Sequence, residues 1–119
     1  MSLILYGIPN CDTVKKARAW LDAAGLAYRF HDYKKAGVDE GKLRSWVALA
    51  GWEKVLNRQG TTFRKLPEGQ RTDLDADKAV AVMLANPSAI KRPIVEGGAD
   101  LLVGFDPARW TAALAGEVR

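Results

Sequence analysis

The sequence predicts an α/β fold whose sheet begins at the N-terminus and is completed near the C-terminus. Three observations predict it. Apolar patterning runs strand–helix–strand as far as Tyr33, then through helix-periodic segments, then strand–strand–helix. The opening strand–helix–strand is the unit that forms parallel pairs through a right-handed crossover. The Gly97-Gly98 pair between two short apolar runs suits an antiparallel hairpin. A chain of 119 residues with 48% hydrophobic content is one domain able to bury a true core.

Taken in order, Leu3, Ile4, Leu5 and Tyr6 form a continuous apolar run, the mark of a strand buried on both faces. Gly7 to Asn10 end it. Asn10 is the N-cap candidate for the next helix, with Thr13 as its third residue. Val14, Ala17, Leu21 and Ala24 recur at three- and four-residue spacing and make one apolar stripe, and Gly25 stops the helix. Ala27 to Tyr33 alternates enough to read as a second strand. Asp39 is then an N-cap candidate, and Leu43, Trp46, Val47 and Ala50 mark a helix ending at Gly51. Trp52 to Leu56 adds one helical turn. Asn57 to Leu66 is polar, basic and loop-like, with a turn of helix near its end. Ala76, Ala79, Val80, Met83 and Leu84 are helix-periodic, and Asn86-Pro87 closes that helix. Ile94 to Glu96 and Leu101 to Val103 are short strands, and a helix over 107–114 buries Trp110 and Leu114. Repeats, linkers and low-complexity segments do not appear.

The chemistry turns on Cys11, the one cysteine of the chain, at the break between the first strand and the first helix. Unpaired backbone N–H groups and the positive dipole end make a helix N-terminus favourable to an anion, and the thiolate is the nucleophilic form of cysteine. Lys15 and Lys16 add positive charge one turn on, while Asp12 opposes it. Pro9 and Asn10 make an exposed turn rather than a core strand, so Cys11 reads as an activated thiol and not as a small buried hydrophobe. Spacing tests three chemistries. A dithiol C-x-x-C needs cysteine where Val14 stands, so any disulfide at Cys11 is with another molecule. A phosphatase loop needs arginine where Ala17 stands, and Arg18 is one residue late. A Cys–His protease needs a base in reach of the sulfur, and the one histidine, His31, lies in the second strand, a place where packing or exposure is the commoner role.

Composition bounds the partners. The net charge of +4 attracts anionic ligands, but the 18 basic residues are scattered in blocks no longer than two, so nucleic-acid binding lacks a pattern. One cysteine cannot make an internal disulfide. The N-terminus lacks a basic region followed by a long apolar run, and no apolar run approaches the roughly 20 residues of a membrane helix. A cytoplasmic monomer with neither a membrane nor a nucleic-acid partner is expected.

The stretches Y-G-I-P-N-C-D-T, V-K-K-A-R-A-W-L, F-H-D-Y, N-R-Q-G-T-T-F-R-K-L, I-K-R-P-I-V and L-L-V-G-F together resemble the ArsC/Spx family, with the YffB-like branch nearest. The resemblance covers essentially the whole chain, and C-D-T-V-K-K-A-R-A-W-L with K-R-P is its specific part. It implies a thioredoxin-like fold within a single domain, 1–119, carrying a helical insertion at about 37–90. It also implies that Cys11 is the reactive thiol, and that Arg92 and Pro93 lie opposite it with the proline commonly cis. Arsenate reductases of the family hold the oxyanion with three arginines. Arg92 matches one and Arg58 is a candidate for a second, but Leu102, Val103, Gly104 and Phe105 stand where the third belongs. Many Spx regulators carry a C-x-x-C switch that this chain lacks.

The expectation is therefore a monothiol reductase with Cys11 and Arg92 as catalytic residues. Asn10, Thr13, Lys15, Arg58 and Pro93 would contact the substrate. No bound cofactor or metal is expected, and glutathione or a similar small thiol would be the co-substrate. The alternatives are a non-catalytic regulator of the Spx kind docking on RNA polymerase, or an arsenate reductase outright. Trp20, Trp46, Trp52 and Trp110 could furnish a partner surface, although Trp46 and Trp110 fall on apolar stripes.

Overall fold

The computed structural model describes residues 2–115. The strands are β1 (Leu3–Gly7), β2 (Tyr28–Asp32), β3 (Ile94–Glu96) and β4 (Leu102–Val103). The helices are α1 (Asp12–Ala23), α2 (Tyr33–Ala36), α3 (Glu40–Ala50), α4 (Trp52–Val55), α5 (Thr61–Arg64), α6 (Glu68–Arg71), α7 (Ala76–Ala85) and α8 (Pro107–Ala113), with a 3-10 turn over Pro87–Ala89. They fall into two compact units. One holds the residues up to Ala36 and those from Arg92 onward; the other is Gly37–Lys91.

The first unit is built on a four-stranded sheet of order β2-β1-β3-β4. β1 and β2 are parallel, with Leu5 opposite Phe30 and Gly7 opposite Asp32. β3 runs antiparallel to β1, with Leu5 opposite Val95 and Tyr6 opposite Ile94, and β4 antiparallel to β3. Because side chains alternate across a strand, Leu3, Leu5, Val95 and Leu102 point to one face. There they meet Val14, Ala17 and Leu21 of α1 and Trp110 and Leu114 at the end of the chain, forming one buried core. Each such fully buried aliphatic side chain contributes about 1.5–3 kcal/mol relative to exposure. The opposite face carries Ile4, Tyr6, His31, Ile94 and Glu96. Tyr6 donates its hydroxyl to Glu96 Oε1 at 2.8 Å, and its ring lies 4.8 Å from that of His31. At the hairpin after β3, Gly97 has φ +100, and a Cβ there would sit 1.9 Å from the Ser2 carbonyl oxygen, so the turn admits only glycine.

The second unit is helical. Asp39 caps α3 by accepting from the Lys42 N–H at 3.0 Å, and Asp75 caps α7 by accepting from the Lys78 N–H at 2.8 Å. Arg44 ties α3 to α7 through Asp77 at 2.8 Å while also holding Glu40. Leu43, Trp46, Val55, Leu56, Phe63, Val80, Met83 and Ile90 are buried. A bridge between Leu56 and Ile90, with the Lys91 N–H donating to the Val55 carbonyl at 2.7 Å, fastens the end of α4 to the last residues of the unit. Among the described residues no helix is long and apolar enough to cross a membrane.

Several details differ from the sequence reading. The N-cap of α1 is Cys11 and not Asn10, so Thr13 is the second helical residue. The second strand stops at Asp32, because the Asp32 carboxylate accepts from the N–H groups of Lys34 and Lys35 at 3.1 and 3.3 Å and turns the chain into α2. Tyr33 is thus the first residue of a helical turn. β4 starts at Leu102, and α6 forms in a segment whose pattern announced no helix.

Candidate active site

Register alone brings the distant segments together. Gly7 faces Asp32 and Tyr6 faces Ile94, while Ile94 faces Val103. The residues that follow β1, follow β2, precede β3 and follow β4 therefore share one edge of the sheet. They are the Ile8–Cys11 turn, Tyr33, Arg92-Pro93 and Gly104-Phe105. This is the edge beyond the carboxyl ends of the parallel strands, where open α/β sheets place their ligands.

Cys11 has extended backbone (φ −104, ψ 124) and its carbonyl accepts the N–H of Lys15 at 2.9 Å, which starts the 12-residue α1. Its side chain makes no capping bond, and the thiol is half-buried against the core. The thiol is therefore carried on a half-buried residue at the first turn of a full-length helix, whose N-terminus favours an anion. The Arg92-Pro93 peptide is cis, in keeping with what the resemblance implied. Pro93 is buried and its carbonyl accepts from the Gly104 N–H at 2.8 Å. Gly104 has φ +79, and its own carbonyl accepts from Trp110 Nε1 at 3.0 Å. Gly104 is thus a buried glycine whose backbone is bonded on both sides.

One participant was absent from the sequence reading. Tyr33 is fully buried, and the charge of Arg92 acts on its phenol. Burial pushes the Tyr33 phenol well above its usual range. The Arg92 charge pulls the other way, and negative charge on Cys11 and Asp32 adds to the rise. Tyr33 is therefore within electrostatic reach of both Arg92 and Cys11. The signal available in the sequence was Asp32-Tyr33 itself, an aspartate that can end a strand and start a turn.

The remaining expected residues spread out. Asn10 is exposed in the turn, and Thr13 and Lys15 are exposed at the start of α1. Arg58 belongs to the helical unit, exposed, with its guanidinium 5.2 Å from the Trp52 ring centroid. Arg18 is engaged on β2, its guanidinium 4.3 Å from the Phe30 ring centroid and its Nε donating to the Tyr28 hydroxyl at 2.9 Å. Among the described residues no group of three or more His, Cys, Asp or Glu is arranged to hold a metal ion.

A sheet of this order, with a cysteine at the N-terminus of its first helix and a cis-proline ahead of β3, defines a thioredoxin-like α/β protein with one thiol. The chain belongs to the ArsC family, whose sequence model matches residues 6–113. It is similar to an uncharacterized protein of Haemophilus influenzae, 39% identical over 113 residues that cover 95% of this chain and 99% of that one. It is also similar to the global transcriptional regulator Spx of Streptococcus mutans, 24% identical over 117 residues, 97% of this chain and 85% of that one. Among solved structures, a protein named YffB is 59% identical with a TM-score of 0.91, covering 94% of this chain and 98% of the other. An arsenate reductase (ArsC) related protein from Brucella melitensis is 54% identical with a TM-score of 0.75, covering 94% and 93%.

Proposed function

We propose that the protein is a monothiol reductase in which Cys11 is the nucleophile and glutathione, or a similar small thiol, is the co-substrate. The observation that carries the reading is a half-buried cysteine at a helix N-terminus, at the same end of the sheet as Arg92, in a chain with no second cysteine. The Cys11 thiolate attacks the glutathione-side sulfur of a mixed disulfide. A Cys11–glutathione disulfide forms, the old S–S bond breaks, and the released thiolate takes a proton. A second glutathione, as its thiolate, then attacks the glutathione sulfur of that adduct. It leaves as glutathione disulfide and returns Cys11 as thiolate. The net result is one disulfide reduced and one glutathione disulfide made. Arg92 supplies the cation that holds a substrate carboxylate or oxyanion, while Asn10, Thr13, Lys15 and Pro93 line the approach to the sulfur.

The test is mass spectrometry under non-reducing conditions after exposure to glutathione disulfide. One adduct per chain at Cys11 is expected, with covalent dimers a minor product. If Cys11 takes up no glutathione under conditions that modify an ordinary exposed thiol, the glutathione-dependent reading fails. The similarity to Spx supports a second reading, a regulator docking on RNA polymerase, which predicts polymerase capture that survives Cys11→Ser.

A further inference from the structure

We propose that the cleft between α1 and β2 binds a small zwitterion, with Arg18 holding its carboxylate and Asp22 its ammonium group. The cleft has a volume of about 400 Å³ and is lined by Arg18, Asp22, Leu26, Ala27, Tyr28 and Phe30. That falls in the lower part of the range of small-molecule sites and leaves room for a ligand of dipeptide size. It lies within the first unit and apart from the thiol. Arg18 and Asp22 are about two and three helical turns beyond Cys11, roughly 10 and 16 Å along the axis of α1.

Arg18 is a prepared cation. Its guanidinium lies over the Phe30 ring, 4.3 Å from the centroid, and its Nε donates to the Tyr28 hydroxyl at 2.9 Å. Those two contacts fix the plane of the fork and use only its Nε. Among the described residues Arg18 bonds no acceptor besides Tyr28, so Nη1 and Nη2 remain for a ligand, and paired N–H groups match a carboxylate. Asp22 lines the same cleft, and its carboxylate has no hydrogen-bond or ion-pair partner among the described residues. It stands in the last turn of α1, where the helix dipole disfavours an anion and no basic residue offsets it. One turn apart, Arg18 and Asp22 are spaced to pair with each other, yet Arg18 is turned onto β2. One cleft therefore keeps a cation and an anion apart. A purely anionic ligand gains the first and is repelled by the second, whereas a ligand with both charges satisfies both. The two termini of a short peptide have that form.

The experiment titrates the isotope-labelled protein with glycylglycine at constant ionic strength and follows it by two-dimensional proton–nitrogen NMR. Saturable shifts are expected at the amides of Asp22, Leu26, Ala27, Tyr28 and Phe30 and at the Arg18 Nε–H. The dissociation constant should be millimolar, because both charges are partly solvated. N-acetylglycylglycine lacks the ammonium group and glycylglycinamide lacks the carboxylate. Each should bind about three- to fivefold more weakly, the scale of one solvated charge contact. Asp22→Asn should abolish the preference for glycylglycine over its N-acetyl form, and Arg18→Gln the preference over the amide. Shifts that rise linearly without saturating overturn the inference, as does binding of inorganic phosphate to the parent as tightly as glycylglycine. A preference for the free amine that survives Asp22→Asn overturns it too. Asp22 is exposed with no bonded partner among the described residues, so Asp22→Asn leaves the fold intact. Its result decides the matter should Arg18→Gln, which loses the tie to Tyr28, melt far below the parent. None of these measurements involves Cys11, so their outcome is independent of the reductase reading.

Discussion

Trp110→Phe should weaken the whole first unit through a single lost N–H. The indole is fully buried, stands edge-on to Trp20 at 5.7 Å and to Phe105 at 4.8 Å, and donates Nε1 to the Gly104 carbonyl at 3.0 Å. A phenyl ring keeps part of both ring contacts but leaves that carbonyl without its donor. The unsatisfied acceptor costs about 1–3 kcal/mol. The smaller ring leaves a partly collapsed void worth roughly another 1 kcal/mol. A total of about 2–4 kcal/mol is a large share of the roughly 5–15 kcal/mol that holds a domain together. With a urea slope of about 1–3 kcal/mol per molar, the midpoint should fall by about 1–2 M at unchanged slope. Trp20→Phe, at the half-buried partner ring, should cost clearly less. Equilibrium urea unfolding followed by far-ultraviolet circular dichroism measures both variants. A midpoint within about 0.3 M of the parent for Trp110→Phe would show that the Gly104 bond contributes nothing of consequence.

Gly104→Arg should destabilise by about 1–2 kcal/mol, because φ +79 is a left-handed backbone. Arsenate reduction by the parent with glutathione as reductant should be weak or undetectable, and robust turnover at micromolar arsenate would refute the reading of the missing arginine. Gly97→Ala should cost about 2 kcal/mol or more, since its Cβ would fall 1.9 Å from the Ser2 oxygen, and a thermal melt within a degree of the parent would contradict this. Stability should also decline in alkali. Tyr6 and Tyr33 hold their protons in the folded state to higher pH than in the unfolded chain, so their contribution is complete below about pH 10 and is lost as pH rises toward the raised folded values. The loss is up to about 1.4 kcal/mol per pH unit per tyrosine, read from urea midpoints between about pH 9 and 11. A flat profile there, or one that Tyr33→Phe leaves equally steep, would defeat the argument.

The legible parts of the molecule were those where side-chain chemistry and local pattern agree. Val14, Ala17 and Leu21 mark the face of α1 that is buried, and Asp39 is the N-cap it was expected to be. Cys11 stood out because it joins a special residue to the boundary of an apolar run, whereas Arg92-Pro93 was singled out only by the resemblance to the ArsC/Spx family. Tyr33 was not legible as a site residue. Alternation over Ala27–Tyr33 fits a strand throughout, and only the Asp32 bonds to Lys34 and Lys35 show where that strand ends. The cap of α1 was misread by one residue because asparagine is the better capping side chain, whereas Cys11 takes the cap position with its backbone and keeps its thiol out of the capping bond. The short α6 carries no buried residue, so no hydrophobic period could have marked it.

The interruption of the sheet by a helical unit has a consequence for how the chain can vary. Tyr6 meets His31 across a loop of some 25 residues, whereas Tyr6 bonds Glu96 across 90. Loop-closure entropy grows only with the logarithm of length, so the longer path costs about 1 kcal/mol more than the shorter one. The two halves of the thiol edge are therefore joined at almost the same free energy whatever length of chain runs between them. Lengthening, shortening or resurfacing Gly37–Lys91 leaves the strand register that aligns Cys11 with Arg92 untouched. New surfaces can accumulate on the excursion while the chemistry at the sheet edge stays as it is.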